Sequence, residues 1–159
     1  MKTGIFGGSF NPIHKGHIHL AESVLKELGL DRIIFVPSKK SPHRSSSEYA
    51  SETDRFEMLR LATEYNKSFE VSDYEFSQER TSYTVYTIRH FKELYPDDEF
   101  YLLIGSDMLL TFDEWYCFEE IMKNASIVCV SRNEGDYPQL ASKAQQLLEY
   151  GNVKICTTA

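Results

Sequence analysis

Short runs of branched and aromatic residues alternate with helix-period patterns along the whole chain, and this alternation limits its folding more than any other feature. Gly4-Ile5-Phe6 reads as a short strand, and Ile18, Ala21, Val24, Leu25 and Leu28 then fall at helical spacing before a stop at Gly29. Arg32 to Pro37 reads as a buried strand. Ser38 to Glu52 is polar, carries three consecutive serines and predicts a long loop. A second amphipathic helix is predicted through Phe56, Leu59, Ala62 and Tyr65, with Thr53 or Ser51 as N-cap. A weaker strand over Phe69 to Tyr74 follows, then a third helix marked by Val85, Ile88, Phe91 and Leu94 and ended by Pro96. Glu99 to Ile104 is the clearest central strand, and Gly105-Ser106-Asp107 predicts a turn after it. Helix over about 114–123, strand over 126–130, helix over about 139–150 and strand over 153–156 complete the pattern.

Strands that alternate with helices imply right-handed β-α-β crossovers. The expected architecture is α/β: a Rossmann-like, doubly wound, mainly parallel sheet with helices on both faces. Ligands in such folds sit at the carboxyl ends of the strands. The loops of interest therefore begin near Gly7, Ser38, Gly105 and Ser131. No internal repeat or Pro/Gly-rich linker divides the 159 residues, so one domain is expected.

Composition narrows the partners. Apolar residues make up 42% and charged residues 26%, the balance of a globular chain. No apolar run approaches the roughly 18 residues that cross a bilayer, and Met1-Lys2-Thr3 leads into a strand-like segment rather than a secretory leader. The net charge of −7 disfavours a nucleic-acid backbone as partner. An anionic small ligand stays compatible where Lys15, Lys39, Lys40, His43, Arg44 and Arg132 gather cations locally. Cys117, Cys129 and Cys156 are odd in number and form no C-x-x-C pair, which fits a reduced, cytoplasmic setting.

The densest chemistry lies in G-I-F-G-G-S-F-N-P-I-H-K-G-H, Gly4 to His17. Gly7 and Gly8 permit close approach of the backbone to a ligand or a positive φ. The helix that follows offers free N–H groups and a partial positive charge to an anion. His14 and His17, three apart, share a face once helical and point toward the end of the first strand. Imidazoles there can donate to phosphate oxygens and stabilise transition-state charge. Turn-capping structural histidines are the plain alternative; a zinc site lacks a third ligand at suitable spacing. Neither G-x-G-x-x-G nor G-x-x-x-x-G-K-[ST] is present in this segment.

The run G-G-S-F-N-P-I-H-K-G-H resembles the G-x-F-(D/N)-P-x-H-x-G-H signature of the nucleotidyltransferase superfamily, whose H-x-G-H element is related to the HIGH motif of class I aminoacyl-tRNA synthetases. Later segments resemble the bacterial nicotinate-nucleotide adenylyltransferases. S-P-H-R after Val36-Pro37 is similar to their P-x-x-x-P-H-(K/R) loop, and Thr81-Ser82-Tyr83-Thr84 to their P-S-Y-T. Leu102 to Tyr116 is similar to their I-I-G-x-D-x…W-Y block, and Val128 to Arg132 fits the strand and arginine that follow.

The resemblance implies adenylyl transfer from ATP, with Mg²⁺ carried on the ATP, to nicotinate mononucleotide, giving deamido-NAD and pyrophosphate. It implies His14 and His17 as catalytic groups. It places Gly7, Gly8, Ser9, Phe10, His14, His17, Lys39, Gly105, Asp107 and Arg132 around ATP. Ser9, His43, Arg44, Thr84, Asp107, Trp115 and Tyr116 fall around the mononucleotide, with Trp115 stacking on the nicotinate ring and backbone N–H groups near Thr84 and Tyr116 on its carboxylate. No protein metal ligand, nucleic acid or membrane is expected, and homo-oligomerisation is left open. From residue spacing alone a core anchor is the plain alternative for Trp115, and a helix cap is a second role for Asp107. The family's further motif, (I/V)-S-S-T-x-I-R, has no full counterpart in N-V-K-I-C-T-T-A, Asn152 to Ala159. The chain therefore reads as a single nucleotidyltransferase domain, 1–159, truncated at its C-terminus. Pantetheine-phosphate adenylyltransferases resemble G-x-F-D-P-(I/V)-T-x-G-H instead; His14 and the Trp115-Tyr116 pair separate this chain from them. A non-catalytic nucleotide-binding module is the rival from another class.

Overall fold

The computed structural model describes residues 1–10, 13–39, 51–78, 83–131 and 134–157. Among these, six strands form one sheet: β1 (Lys2–Gly8), β2 (Arg32–Pro37), β3 (Phe69–Val71), β4 (Glu99–Gly105), β5 (Ala125–Ser131) and β6 (Val153–Thr157). They are ordered β3-β2-β1-β4-β5-β6, and every pairing is parallel. The helices are α1 (Lys15–Glu27), α2 (Glu52–Thr63), α3 (Thr84–Leu94), α4 (Ser106–Leu110), α5 (Phe118–Asn124) and α6 (Tyr137–Leu147). Chain direction along the sheet reverses between β1 and β4, which creates a crevice at their carboxyl ends.

Period-two alternation within the strands divides the apolar residues between two cores. Ile33 and Phe35 of β2 face one side with Phe6, Leu103 and Val128, under Leu20, Ala21 and Val24 of α1 and Leu59 of α2. Ile34 and Val36 face the other with Ile5, Leu102 and Ile127, under α3 (Val85, Ile88, Phe91), α5 (Ile121, Met122) and α6 (Leu140, Leu147). Two covered faces explain why Ile33 to Val36 of β2 and Phe100 to Ile104 of β4 are buried without interruption.

At the amino end of the sheet, Arg32 donates to Asp98 at 2.8 Å, to Glu70 at 3.0 Å and to the Thr3 hydroxyl at 3.0 Å. Thr3 in turn donates to Asp98 at 2.8 Å, and the N-terminal ammonium lies 3.4 Å from the same carboxylate. Burial alone pushes Asp98 upward, but these donors outweigh it and hold its carboxyl below the usual range.

Gly29, at φ 62°, ends α1 in the left-handed region. Ser51 caps α2, its hydroxyl accepting from the Asp54 N–H at 3.0 Å. Several expectations are corrected. The weaker strand is only Phe69–Val71, and Tyr74–Ser77 forms a 3₁₀ turn. Gly105-Ser106-Asp107 is no turn: Gly105 ends β4 and caps α4, which starts at Ser106. The helix expected over 114–123 is divided into a 3₁₀ turn, Phe112–Glu114, and α5, with Cys117 between them at φ 54°. The buried stripe of α2 is Arg55, Leu59 and Thr63, whereas Tyr65 and Leu94 are exposed.

Candidate active site

The crevice between β1 and β4 is an open cleft of about 430 Å³. Phe6, His17, Leu20, Gly105, Ser106, Asp107, Met108 and Asp136 are among its lining residues. Apolar strand residues form the floor, and the rim carries an imidazole and two carboxylates.

His14 is the N-cap of α1, with extended backbone at φ −139° and ψ 174°, so it stands just outside the helix rather than within it. Its Nδ1 accepts the Gly16 N–H at 3.0 Å, and the His17 Nδ1 accepts the His14 N–H at 3.1 Å. This is a reciprocal cap of the capping-box type, built from two histidines in place of Ser/Thr and Glu/Gln. A neutral ring whose Nδ1 accepts a backbone N–H carries its proton on Nε2. The cap therefore fixes both tautomers and leaves Nε2–H as the donor on each ring. Phe10 supports this arrangement: its ring meets His17 edge-on at 5.1 Å and Phe6 at 5.3 Å.

Gly7 and Gly8 continue β1 without a positive φ; the left-handed residue of this loop is Phe10, at φ 44° and 2% exposed. A bulky residue held there stores of order 1 kcal/mol of backbone strain, retained because its ring is locked among Phe6, His17 and Phe35. A Cβ on Gly8 would sit 3.5 Å from that ring, an ordinary van der Waals contact, so the packing itself does not demand glycine there.

The other expected residues fall into two groups. Asp107 lies in the first turn of α4 and lines the cleft with Gly105. Ser9 follows β1 directly, and Lys39, half-buried, follows β2 at the neighbouring carboxyl end. Thr84 opens α3, whose N-cap Tyr83 makes no side-chain cap bond among the described residues. The Tyr83 ring lies 4.8 Å from that of Tyr116, and Tyr86 is 6.1 Å from Tyr116. The fold thus joins two segments 33 positions apart, Tyr83-Thr84 and Tyr116, in one aromatic wall. Trp115 is half-buried with its ring 4.7 Å from Phe112, so one part serves the core and the rest stays accessible. Thr84, Trp115 and Tyr116 are not among the residues that line the β1–β4 cleft. His14 is not among the residues that line this cleft: with Lys15, Ile13, Ile18 and Ala62 it lines a separate groove of about 460 Å³, and of the pair only His17 faces the β1–β4 cleft. His43, Arg44 and Arg132, with Lys40, Thr81 and Ser82, lie outside the described residues.

Sequence reading missed Arg55. It is 1% exposed, and its Nη1 donates to the Ser9 and Ser38 carbonyls at 2.8 Å each. Asp136 at the cleft rim was missed as well. Its position after β5, the equivalent of Asp107 after β4, was the available signal.

A parallel sheet of this order, with a histidine-capped helix at the switch point, is the frame of a nucleotidyltransferase. Residues 5–157 match the cytidylyltransferase-like family, and the chain belongs to that family. Within it, the chain belongs with the nicotinate-nucleotide adenylyltransferases. A protein of Lachnoclostridium phytofermentans named as a probable nicotinate-nucleotide adenylyltransferase is 41% identical over 154 residues, 97% of this chain and 77% of its own length. Proteins of the same name from Carboxydothermus hydrogenoformans and Geobacter sulfurreducens are 46% and 44% identical over 82% and 83% of this chain. The chain spans 65% and 61% of those two relatives. The solved Plasmodium falciparum nicotinic acid mononucleotide adenylyltransferase, complexed with NaAD, superposes with a TM-score of 0.79 over 99% of this chain and 76% of its own. At 19% identity that likeness bears on the fold. Among the described residues no helix is long and apolar enough to cross a membrane.

Proposed function

We propose that this chain, acting as one nucleotidyltransferase domain, transfers the adenylyl group of ATP to nicotinate mononucleotide, yielding deamido-NAD and pyrophosphate in NAD biosynthesis. A 5′-phosphate oxygen of the mononucleotide forms a bond to the α-phosphorus of ATP. The bond from that phosphorus to the bridging oxygen breaks, and pyrophosphate leaves with the electron pair. The attacking phosphate is already an anion, so the reaction needs no general base. Catalysis then rests on alignment and on stabilising the charge that builds on the phosphoryl oxygens.

The observation that carries this reading is the double-histidine cap, which leaves Nε2–H as the donor on both rings, with His17 lining the cleft at the switch point and His14 stacked on it. His14 and His17 donate to the phosphates; Gly7, Gly8, Ser9, Phe10, Lys39, Gly105, Asp107 and Arg132 surround ATP. Trp115, Tyr116, Thr84, His43, Arg44, Ser9 and Asp107 hold the mononucleotide. An ion that keeps phosphate and water ligands suits a rim of two separate carboxylates, Asp107 and Asp136. Mg²⁺ accordingly enters with ATP and shields its phosphate charge. The cytoplasm, where both nucleotides occur, is the site of action.

A product assay tests the reading. The full-length protein is incubated with ATP and either nicotinate or nicotinamide mononucleotide, and dinucleotide and pyrophosphate are quantified. Stoichiometric pyrophosphate and deamido-NAD with the acid are expected. Release with phosphopantetheine but with neither pyridine nucleotide would overturn the assignment, and binding without turnover would indicate a nucleotide-binding module.

A further inference from the structure

Arg55 stands in the first turn of α2 and, among the described residues, is the largest side chain buried so completely. The β1–β2 ladder ends at the pair Gly8–Pro37, with the Ser38 N–H donating to the Gly8 carbonyl at 2.8 Å as its last rung. One residue further on, the Ser9 and Ser38 carbonyls both turn to Arg55 and share one guanidinium nitrogen. The guanidinium also lies 5.2 Å from the centroid of the Phe76 ring. Two loops that leave the sheet at adjacent strands are thus tied through one side chain.

The tie has a directional consequence. In a planar trans peptide a carbonyl and the following N–H point in opposite directions. Fixing the Ser9 and Ser38 carbonyls toward Arg55 therefore aims the Phe10 and Lys39 N–H groups away from it. The contact also bears on stability, since an apolar side chain there would leave both carbonyls without this donor; what a single guanidinium adds is a fixed relation between the two loops.

We propose that Arg55 is a positioning residue: it sets the loop after β1 and the loop after β2 in one fixed relation, so that the groups they hold around ATP keep its α-phosphorus aligned for in-line attack. The inference rests on the adenylyl-transfer reading, in which the first loop carries ATP through Gly7 to Phe10 and the second contributes Lys39. Arg55 touches neither reacting phosphate and acts through the backbone of Ser9 and Ser38.

The test compares wild type, Arg55→Lys and Arg55→Met as full-length proteins. The measurements are kcat, KM for each nucleotide, thermal midpoint, and amide hydrogen exchange at 9–10 and 38–39. In Arg55→Met, kcat should fall about ten- to a hundredfold with both KM values within about threefold, the pattern of lost alignment rather than lost binding. Exchange should rise in both loops together. Arg55→Lys retains the charge and should recover stability but only part of kcat, and it serves alone where Arg55→Met does not fold. Folded variants with wild-type kcat, a loss that follows only the folded fraction, or exchange that rises in one loop alone would each overturn the proposal. Absence of wild-type turnover would instead remove the functional reading, and the exchange of the two loops would then decide by itself whether Arg55 ties them.

Discussion

The rings of His14 and His17 lie stacked with centroids 3.8 Å apart and planes 26° from parallel. Each is held by a backbone N–H at Nδ1, so the two residues that end the H-x-G-H element also close the first turn of α1. Capping uses Nδ1 of each ring, and the phosphate contact proposed above would use Nε2, so substitution can separate the two roles.

Asparagine is a strong N-cap, and glutamine is the usual partner at the third helical position. His14→Asn and His17→Gln should keep thermal unfolding within about 1 kcal/mol of wild type while adenylyl transfer falls about 10²- to 10³-fold. His14→Ala should lose both. Calorimetry alongside pyrophosphate release reads the two effects; a large stability loss in His14→Asn would mean that the ring packs more than it catalyses.

Trp115 is shared between the core and the aromatic wall. Loss of a stacked aromatic pair costs about 0.5–1.5 kcal/mol beyond area burial. Trp115→Ala should accordingly weaken nicotinate mononucleotide roughly 2- to 12-fold at that cost, with ATP affinity nearly unchanged. Titration calorimetry with each nucleotide distinguishes this from a folding role, in which both affinities decline equally.

Asp98 carries a pH signature. Its carboxyl sits below its unfolded value of about 3.9, so its contribution to stability is present above that value and is lost as pH falls through it toward the native one. Urea midpoints should drop between about pH 5 and 3 in wild type, and less steeply in Asp98→Asn. At neutral pH Asp98→Asn should be less stable by about 1–3 kcal/mol, since Arg32 is then left beside a neutral amide. Parallel curves for the two proteins would refute the assignment.

Gly151 precedes β6, and a Cβ there would lie 2.7 Å from the Met122 carbonyl and 3.3 Å from its Cβ. Backbone must move to admit it, which costs about 1–3 kcal/mol. Gly151→Ala should lower the thermal midpoint by several degrees while KM values at low temperature stay unchanged, because the residue is remote from the switch-point cleft.

How much of this was legible in the sequence follows from how local each determinant is. The span of β2 was read residue by residue because Ile33 to Val36 is a continuous apolar run bounded by Arg32 and Pro37, and the end of α1 because Gly29 tolerates a left-handed backbone. The histidine pair was legible as a motif; the identity of its accepting nitrogens was not. Cys117 in a left-handed conformation has no local signal, and it broke a helix that the apolar spacing had made continuous. Tyr83 and Tyr116 were each noticed, but only the packing of α3 beside α5 puts their rings in contact.

Arg55 marks the boundary most clearly. At its place in α2 an arginine counts toward the solvent face in any periodicity, and the sequence determined only that a helix runs there. Its burial was decided by two carbonyls, 46 and 17 residues away, that left the sheet together and required a donor. By itself the sequence determined the order of strands and helices and the presence of the H-x-G-H motif at the start of α1, because propensity and motif act over a few neighbouring residues. Only the tertiary structure decided which backbone groups those elements would bring together, because the Ser9 and Ser38 carbonyls come within reach of one donor only where β1 and β2 end side by side.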